Sequence, residues 1–145
     1  MDMNLSLRPV TQQDLDYLIW LRNTTMNPHI ENSGLVVDQV AHLERINFCF
    51  DSARIIQIDG KNAGLFKVNK MQLPWDLVQI QLAPEFQGLG IGRQLIAQLL
   101  TEAKQEQASV ILSVFKCNPA QKLYKSLGFQ LDRELEKTFE MIWNP

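Results

Sequence analysis

Residues able to do chemistry gather in two stretches of this 145-residue chain: Leu82-Ala83-Pro84-Glu85-Phe86-Gln87-Gly88-Leu89-Gly90-Ile91-Gly92-Arg93, and Lys116-Cys117-Asn118-Pro119-Ala120-Gln121-Lys122-Leu123-Tyr124-Lys125-Ser126-Leu127-Gly128-Phe129. In the first, an apolar run passes through a proline into a glycine-dense turn that opens a helical pattern. Glycines admit a ligand close to the backbone, and the first N–H groups of a helix have no partners of their own. With the positive end of the helix dipole, they make an anion site suited to a pyrophosphate. The second stretch supplies a side-chain amide, Asn118, and a phenol, Tyr124, that can give up a proton.

Spacing separates the glycine motifs that compete for the first stretch. The phosphate-binding loop of nucleotide hydrolases fails, because no Lys-Ser or Lys-Thr follows a glycine. The dinucleotide fingerprint fails at Arg93, which stands where its third glycine belongs, and the next apolar run, Val110 to Val114, ends in Phe115 and Lys116 instead of an acid. Gln/Arg-x-x-Gly-x-Gly/Ala is matched at every fixed position by Gln87 to Gly92. The second stretch follows at the right distance, with a strand, Asn118, Leu123-Tyr124 and a closing Gly128-Phe129. Over about residues 76 to 131 the chain therefore resembles the GNAT superfamily of N-acetyltransferases. Read without that resemblance, the glycines are a tight strand-to-helix turn, Asn118 is a helix N-cap, and Tyr124 shares a core-facing stripe with Ala120, Leu123 and Leu127.

The resemblance implies acetyl-coenzyme A as cosubstrate and no metal. It implies that the strand backbone at Ile80, Gln81 and Leu82 pairs with the pantetheine arm like an added strand. The turn formed by Gln87, Gly88, Leu89, Gly90, Ile91, Gly92 and Arg93 would hold the pyrophosphate, and Asn118 would contact the arm. Tyr124 falls at the family's general-acid position, where it would protonate the departing thiolate. Direct transfer is the family's usual route, so Cys117 reads as a small buried apolar residue. An ammonium acceptor with a pKa near ~10.4 must first lose a proton, at a cost of about 4 kcal/mol at neutral pH. Asp76 falls where some relatives carry a catalytic glutamate. His29 and Glu31 lie in a segment that walls the family's acceptor site, Glu136 and Glu140 lie near the last strands, and a water relay with no dedicated base also fits. The acidic residues lean toward a cationic acceptor, a small-molecule or peptide amine. A coenzyme A-binding regulator without turnover, and transfer of a longer acyl chain, stay open.

These residues need a scaffold, and the pattern of the chain describes one. Leu5 to Arg8 reads as a strand stopped by Pro9, and Thr11 caps a helix over Gln12 to Asn23. Pro28 to Gly34 reads as a loop, and Val37 to Phe48 as an amphipathic helix with Val40, Leu43 and Asn47 along one side. Arg54 to Ile58 and Ala63 to Lys70 are strands joined through Asp59-Gly60, a hairpin signal. Trp75 to Leu82 is a fourth strand, with Leu77 followed by Val78, Ile80 and Leu82. Gly90 to Gln107 is a helix whose core stripe is Ile91, Leu95, Ile96, Leu99, Leu100 and Ala103. Val110 to Val114 is a strand, Pro119 to Leu127 a short helix, and Phe129 to Arg133 and Thr138 to Trp143 close the chain as strands. The order βααβββαβαββ is that of the GNAT fold. It is an α/β (α+β) architecture with one mixed, mostly antiparallel twisted sheet of six or seven strands flanked by about four helices. The resemblance implies that strands four and five splay apart at a proline-marked bulge after Leu82.

Composition agrees. The length suits a single domain over residues 1–145, and 46% apolar with 21% charged residues is ordinary for a globular protein. Met1 to Asn4 shows neither a basic region nor an apolar stretch, and no apolar run approaches a membrane span, so a cytoplasmic protein without membrane association is expected. A formal charge of −2 argues against nucleic acid as a partner. Cys49, Cys117, His29 and His42 have neither disulfide-framework nor metal-ligand spacing. The apolar end Phe139 to Trp143 offers an edge contact for a homodimer.

Overall fold

In the computed structural model, which describes residues 3–145, the apolar runs pair into a seven-stranded open sheet. Its strands are β1 (Leu5–Pro9), β2 (Ala53–Ile58), β3 (Lys61–Asn69), β4 (Trp75–Leu82), β5 (Val110–Phe115), β6 (Gln130–Glu134) and β7 (Thr138–Trp143), in the order β1-β2-β3-β4-β5-β7-β6. Neighbours are antiparallel except β4 and β5. Asp59 and Gly60, at φ 51° and 82°, close the β2–β3 hairpin as the sequence predicts.

Helices α1 (Leu15–Asn32) and α2 (Gln39–Asn47) cover one face, where Leu18, Leu21 and Ile46 pack on Ile55 and Leu65. Helices α3 (Ile91–Gln105) and α4 (Gln121–Ser126) cover the other. The α3 stripe is buried as expected, with Ile91, Leu95, Ile96, Leu99, Leu100 and Ala103 packed among Phe66, Trp75, Val110 and Leu112. Each large apolar side chain buried this way contributes roughly 1.5–3 kcal/mol.

Four local readings are corrected. First, α1 does not stop at Asn23 but continues through Pro28 to Asn32. Its polar side chains, which by themselves favour loops, are occupied. Asn23 Nδ2 donates to the Ile19 carbonyl (2.9 Å), Thr25 Oγ1 to that of Leu21 (2.8 Å), and Asn27 Nδ2 to Asn23 Oδ1 (2.9 Å). Second, Asp38 caps α2 by accepting from Val40 N–H at 2.9 Å, but Val40, Leu43 and Asn47 are exposed. His42 and Ile46 are the buried pair, because the neighbouring face of α1 presents Arg22 and Asn27 as hydrogen-bond partners for His42. Third, β7 lies between β5 and β6, with both edges paired, so Phe139 to Trp143 is not a free edge. Fourth, Cys117 is exposed instead of buried, its sulfur 3.6 Å from Ser33 Oγ and from the His29 carbonyl oxygen.

The opening of the sheet also differs in its origin. β4 and β5 pair only at Trp75–Val110 and Asp76–Ile111, well before Leu82. The irregularity lies inside β4: Lys67 faces Gln79 and Val68 faces Leu77, leaving Val78 as an extra residue. A bulge of this kind bends its strand and reverses the side-chain alternation. Trp75 and Leu77 join the core on the α3 side, and beyond the bulge Ile80 and Leu82 pack there too. Gln79 and Gln81 turn toward α1 and α2. Pro84 begins a short 3-10 turn, Pro84–Phe86, that leads into the glycines.

Candidate active site

Where β4 and β5 part, a cleft of about 310 Å³ opens between them. The strands supply its walls from Leu77 to Gln81 and from Leu112 to Phe115. Arg22 and Met26 of α1 and Arg45 of α2 close one side, and Asn118 and Tyr124 the other. On its β5 side the β4 backbone has no strand partner beyond Asp76. The backbone of Ile80 and Gln81 is therefore placed as the sequence reading requires, while the Leu82 carbonyl accepts from Gln87 Nε2 at 2.9 Å and ties the strand to the turn.

The turn has the properties of an anion cradle. Gly88 and Gly90 take φ of 75° and 80°, in the left-handed region, and a Cβ on either would meet no atom within 4 Å. The space that side chains would occupy is thus open beside the backbone. Among the described residues, none of the amides from Gly88 to Arg93 donates to another backbone group, and Gly90 stands at the start of α3. Gly92 packs close to Ile80, Leu82 and Leu123, so Leu89 and Ile91 serve the turn by position, Ile91 being buried and Leu89 exposed. Arg93 is exposed and donates Nη2 to Ser126 Oγ at 2.8 Å, which links α3 to α4. These features fit the pyrophosphate of a coenzyme A.

Tyr124 is 8% exposed, packed edge-on against Phe129 at 6.0 Å between ring centres. The core-packing reading therefore holds for the ring. Its hydroxyl has no hydrogen bond within the protein, is not among the sealed polar atoms, and opens on the cleft. Burial pushes the phenol up to about 12, so it stays protonated near neutrality. Asn118 is not the N-cap of α4, a place taken by Ala120; its Oδ1 accepts from Ala120 N–H at 2.9 Å in the turn that precedes the helix. Its Nδ2 has no partner in the protein and remains a donor on the wall of the cleft.

The candidate bases are dispersed. Asp76 sits at the last β4–β5 pair, just short of the cleft wall; burial raises its carboxyl, and the Arg45 charge opposes that rise. His29 and Glu31 lie in the last turn of α1 beside Cys117, and α1 reaches the cleft through Arg22 and Met26 instead. Glu140 is engaged by Arg133 at 3.0 and 3.2 Å, and Glu136 is an exposed neighbour of Lys137.

Sequence reasoning missed Gln79 and Arg45, and read Gln81 for its backbone alone. Gln79 is 6% exposed, and neither atom of its amide is hydrogen-bonded. A signal was present: glutamines two residues apart in an otherwise apolar strand put amides on one face of the sheet. Lys67, opposite Gln79 on β3, is wholly buried but satisfied, since its ammonium donates to the carbonyls of Arg45, Ile46 and Phe48 at the end of α2.

Comparison with known proteins agrees with this geometry. Residues 51–131, more than half of the chain, match the acetyltransferase (GNAT) domain family. The chain is 28% identical over 136 residues to the uncharacterized N-acetyltransferase ycf52 of Pyropia yezoensis, covering 92% of this chain and 70% of that protein. The PaiA N-acetyltransferase of Thermoplasma acidophilum, solved in complex with coenzyme A, superposes with a TM-score of 0.75 at 15% identity over 99% of this chain and 100% of that one. The ribosomal-protein-S18-alanine N-acetyltransferase of Escherichia coli gives 0.71 at 17% identity, over 97% and 94%. At such identities the two structures speak for the fold, and the family match speaks for the chemistry. A splayed sheet, a glycine cradle at a helix start and a phenol open to the cleft thus have one common explanation: the chain belongs to the GNAT family and is an acetyltransferase.

Proposed function

We propose that residues 1–145 act as one domain that transfers the acetyl group of acetyl-coenzyme A to a primary amine, on a small molecule or peptide, by direct attack. The observation that carries this reading is the cleft itself, on which the unpaired edge of β4, Asn118 and Tyr124 meet, with the glycine turn and its unbonded amides following directly after β4. When bound, acetyl-coenzyme A supplies the activated thioester. The cradle amides hold the pyrophosphate, the open edge of β4 at Ile80 and Gln81 bonds the arm, and Asn118 Nδ2 adds a donor.

The acceptor enters between α1 and the parted strands. Its ammonium gives its proton through water to Asp76, whose burial raises its affinity for a proton. Tyr124 protonates the departing sulfur; a phenol held near 12 is fully charged with its proton at neutral pH. Cys117, exposed and turned toward Ser33 and His29, has no part in the transfer.

Amine-dependent release of free thiol from acetyl-coenzyme A tests the proposal. Turnover should saturate in both substrates. Tight coenzyme A binding with no release across amino acids, peptides and polyamines would make the protein a binding module instead.

A further inference from the structure

The α1–α2 wall of the cleft carries two arginines that form no ion pair among the described residues. Arg22 is 8% exposed, and its Nε donates to His42 Nδ1 at 2.8 Å. That bond fixes the imidazole tautomer: Nδ1 accepts, so Nε2 holds the proton and donates to Asn27 Oδ1 at 2.7 Å. His42 is therefore neutral, and burial together with the Arg22 charge lowers its affinity for a further proton. Among the described residues the Nη groups of Arg22 have no partner and no carboxylate lies within ion-pair distance of them. Burial and the charge of Arg45 bring Arg22 down to about 10, so it remains a cation at neutral pH.

Arg45 lines the same cleft. Among the described residues its guanidinium makes one hydrogen bond, a long one of 3.5 Å to the Val78 carbonyl, and it lies 5.2 Å from the centre of the Phe48 ring. Asp76 is near enough to feel Arg45 but forms no ion pair with it. Gln79 and Gln81 of β4 line the same cleft, the amide of Gln79 sealed from solvent and unbonded. Burying a cation without a counter-charge, and an amide without a partner, is unfavourable in the empty protein. The first of these is relieved if a ligand brings an anion to this place.

We infer that the amine acceptor carries a carboxylate near its amine, as in an amino acid or an acidic peptide, and that Arg22 and Arg45 bind this carboxylate. The inference rests on reading the cleft as the acceptor site. Guanidinium groups suit a carboxylate through paired, charge-assisted hydrogen bonds. Two cations on the wall repel polyamines, which reverses the lean of the sequence toward a cationic acceptor. The acids behind that lean, His29's neighbour Glu31 among them, do not line the cleft.

The experiment compares acetylation of amino acids with that of their carboxamides and of polyamines, in wild type and in Arg45→Gln. Arg45 is exposed, so the variant should melt close to wild type. Wild type should favour acids over matched amides by about 10- to 100-fold in kcat/KM, and Arg45→Gln should remove most of that preference. Equal or better use of amides or polyamines, or an unchanged preference in Arg45→Gln, would overturn the inference. Calorimetric binding of N-acetyl amino acids in the presence of coenzyme A supplies a readout that needs no turnover. Binding weakened about tenfold by Arg45→Gln upholds the anion site even if no amine is acetylated, in which case only the proposed activity fails. Absent binding, or binding equal in the variant, sinks the inference.

Discussion

Replacing Tyr124 by Phe separates packing from the proposed proton transfer, because the ring packs and only the hydroxyl could give up a proton. The ring is buried against Phe129 and the α3-side core, and phenylalanine keeps it. The hydroxyl has no hydrogen bond to lose and is held, at about 12, in its neutral form by burial. Deleting an unpartnered hydroxyl leaves no orphaned group behind, so stability should change by less than about 1 kcal/mol, within roughly 4 °C in Tm. If the hydroxyl protonates the leaving sulfur, kcat should fall by about 10²–10⁴, which corresponds to roughly 3–5 kcal/mol on the barrier. Coenzyme A affinity should hold within about twofold, since binding is assigned to the cradle and the β4 edge. Thiol release at saturating substrates, thermal melting and calorimetry give the three numbers. In wild type no loss of rate from Tyr124 ionisation is expected below about pH 11, because the phenol keeps its proton up to about 12. A variant with unchanged kcat, or one that keeps its rate relative to folded protein but melts about 10 °C lower, would refute the acid role.

Gly90→Asp should lower coenzyme A affinity by roughly 30-fold or more, about 2 kcal/mol, by placing a carboxylate in the cradle; calorimetry on folded variant showing equal affinity would contradict the cradle. The fold should survive, because a Cβ at Gly90 meets nothing within 4 Å and the φ of 80° costs only about 1–2 kcal/mol of backbone strain. Asp14→Asn tests the brace between β1 and the start of α1. Arg8 at 2.7 and 2.9 Å holds the Asp14 carboxyl at about 2, against an ordinary 3.8. That stability is present above pH 3.8 and is lost as the pH falls toward 2. With Arg8 33% exposed to screening solvent, the substitution should cost about 1–2 kcal/mol at pH 7 and progressively less between pH 4 and 2. Urea titrations showing the same loss at both ends would rule out the ion pair as its source.

What could be read from the chain was whatever local pattern determines. The α3 stripe follows helical spacing and is buried residue for residue, and Asp59-Gly60 combines two residues that accept positive φ, so both transfer directly to the structure. The glycine spacing at 88 and 90 likewise marked an opening for a ligand, because the missing Cβ atoms are themselves the opening. The continuation of α1 through Pro28 was hidden, since it depends on Asn27 meeting His42 of another helix. The bulge at Val78 was hidden as well, because register is settled by β3 and leaves no mark on the β4 sequence. With the bulge unseen, Gln79 and Gln81 could not be placed opposite Arg22 and Arg45. The cationic character of the acceptor wall is thus a property of tertiary structure alone.

Initial rates with acetyl-coenzyme A and an accepted amine varied together test the central claim, direct transfer within the cleft. Intersecting double-reciprocal lines, with no acetylated protein detectable by mass spectrometry when the amine is withheld, are the predicted result. Parallel lines, together with an acetyl group on Cys117 or any other side chain that is passed on when amine is added, would contradict it.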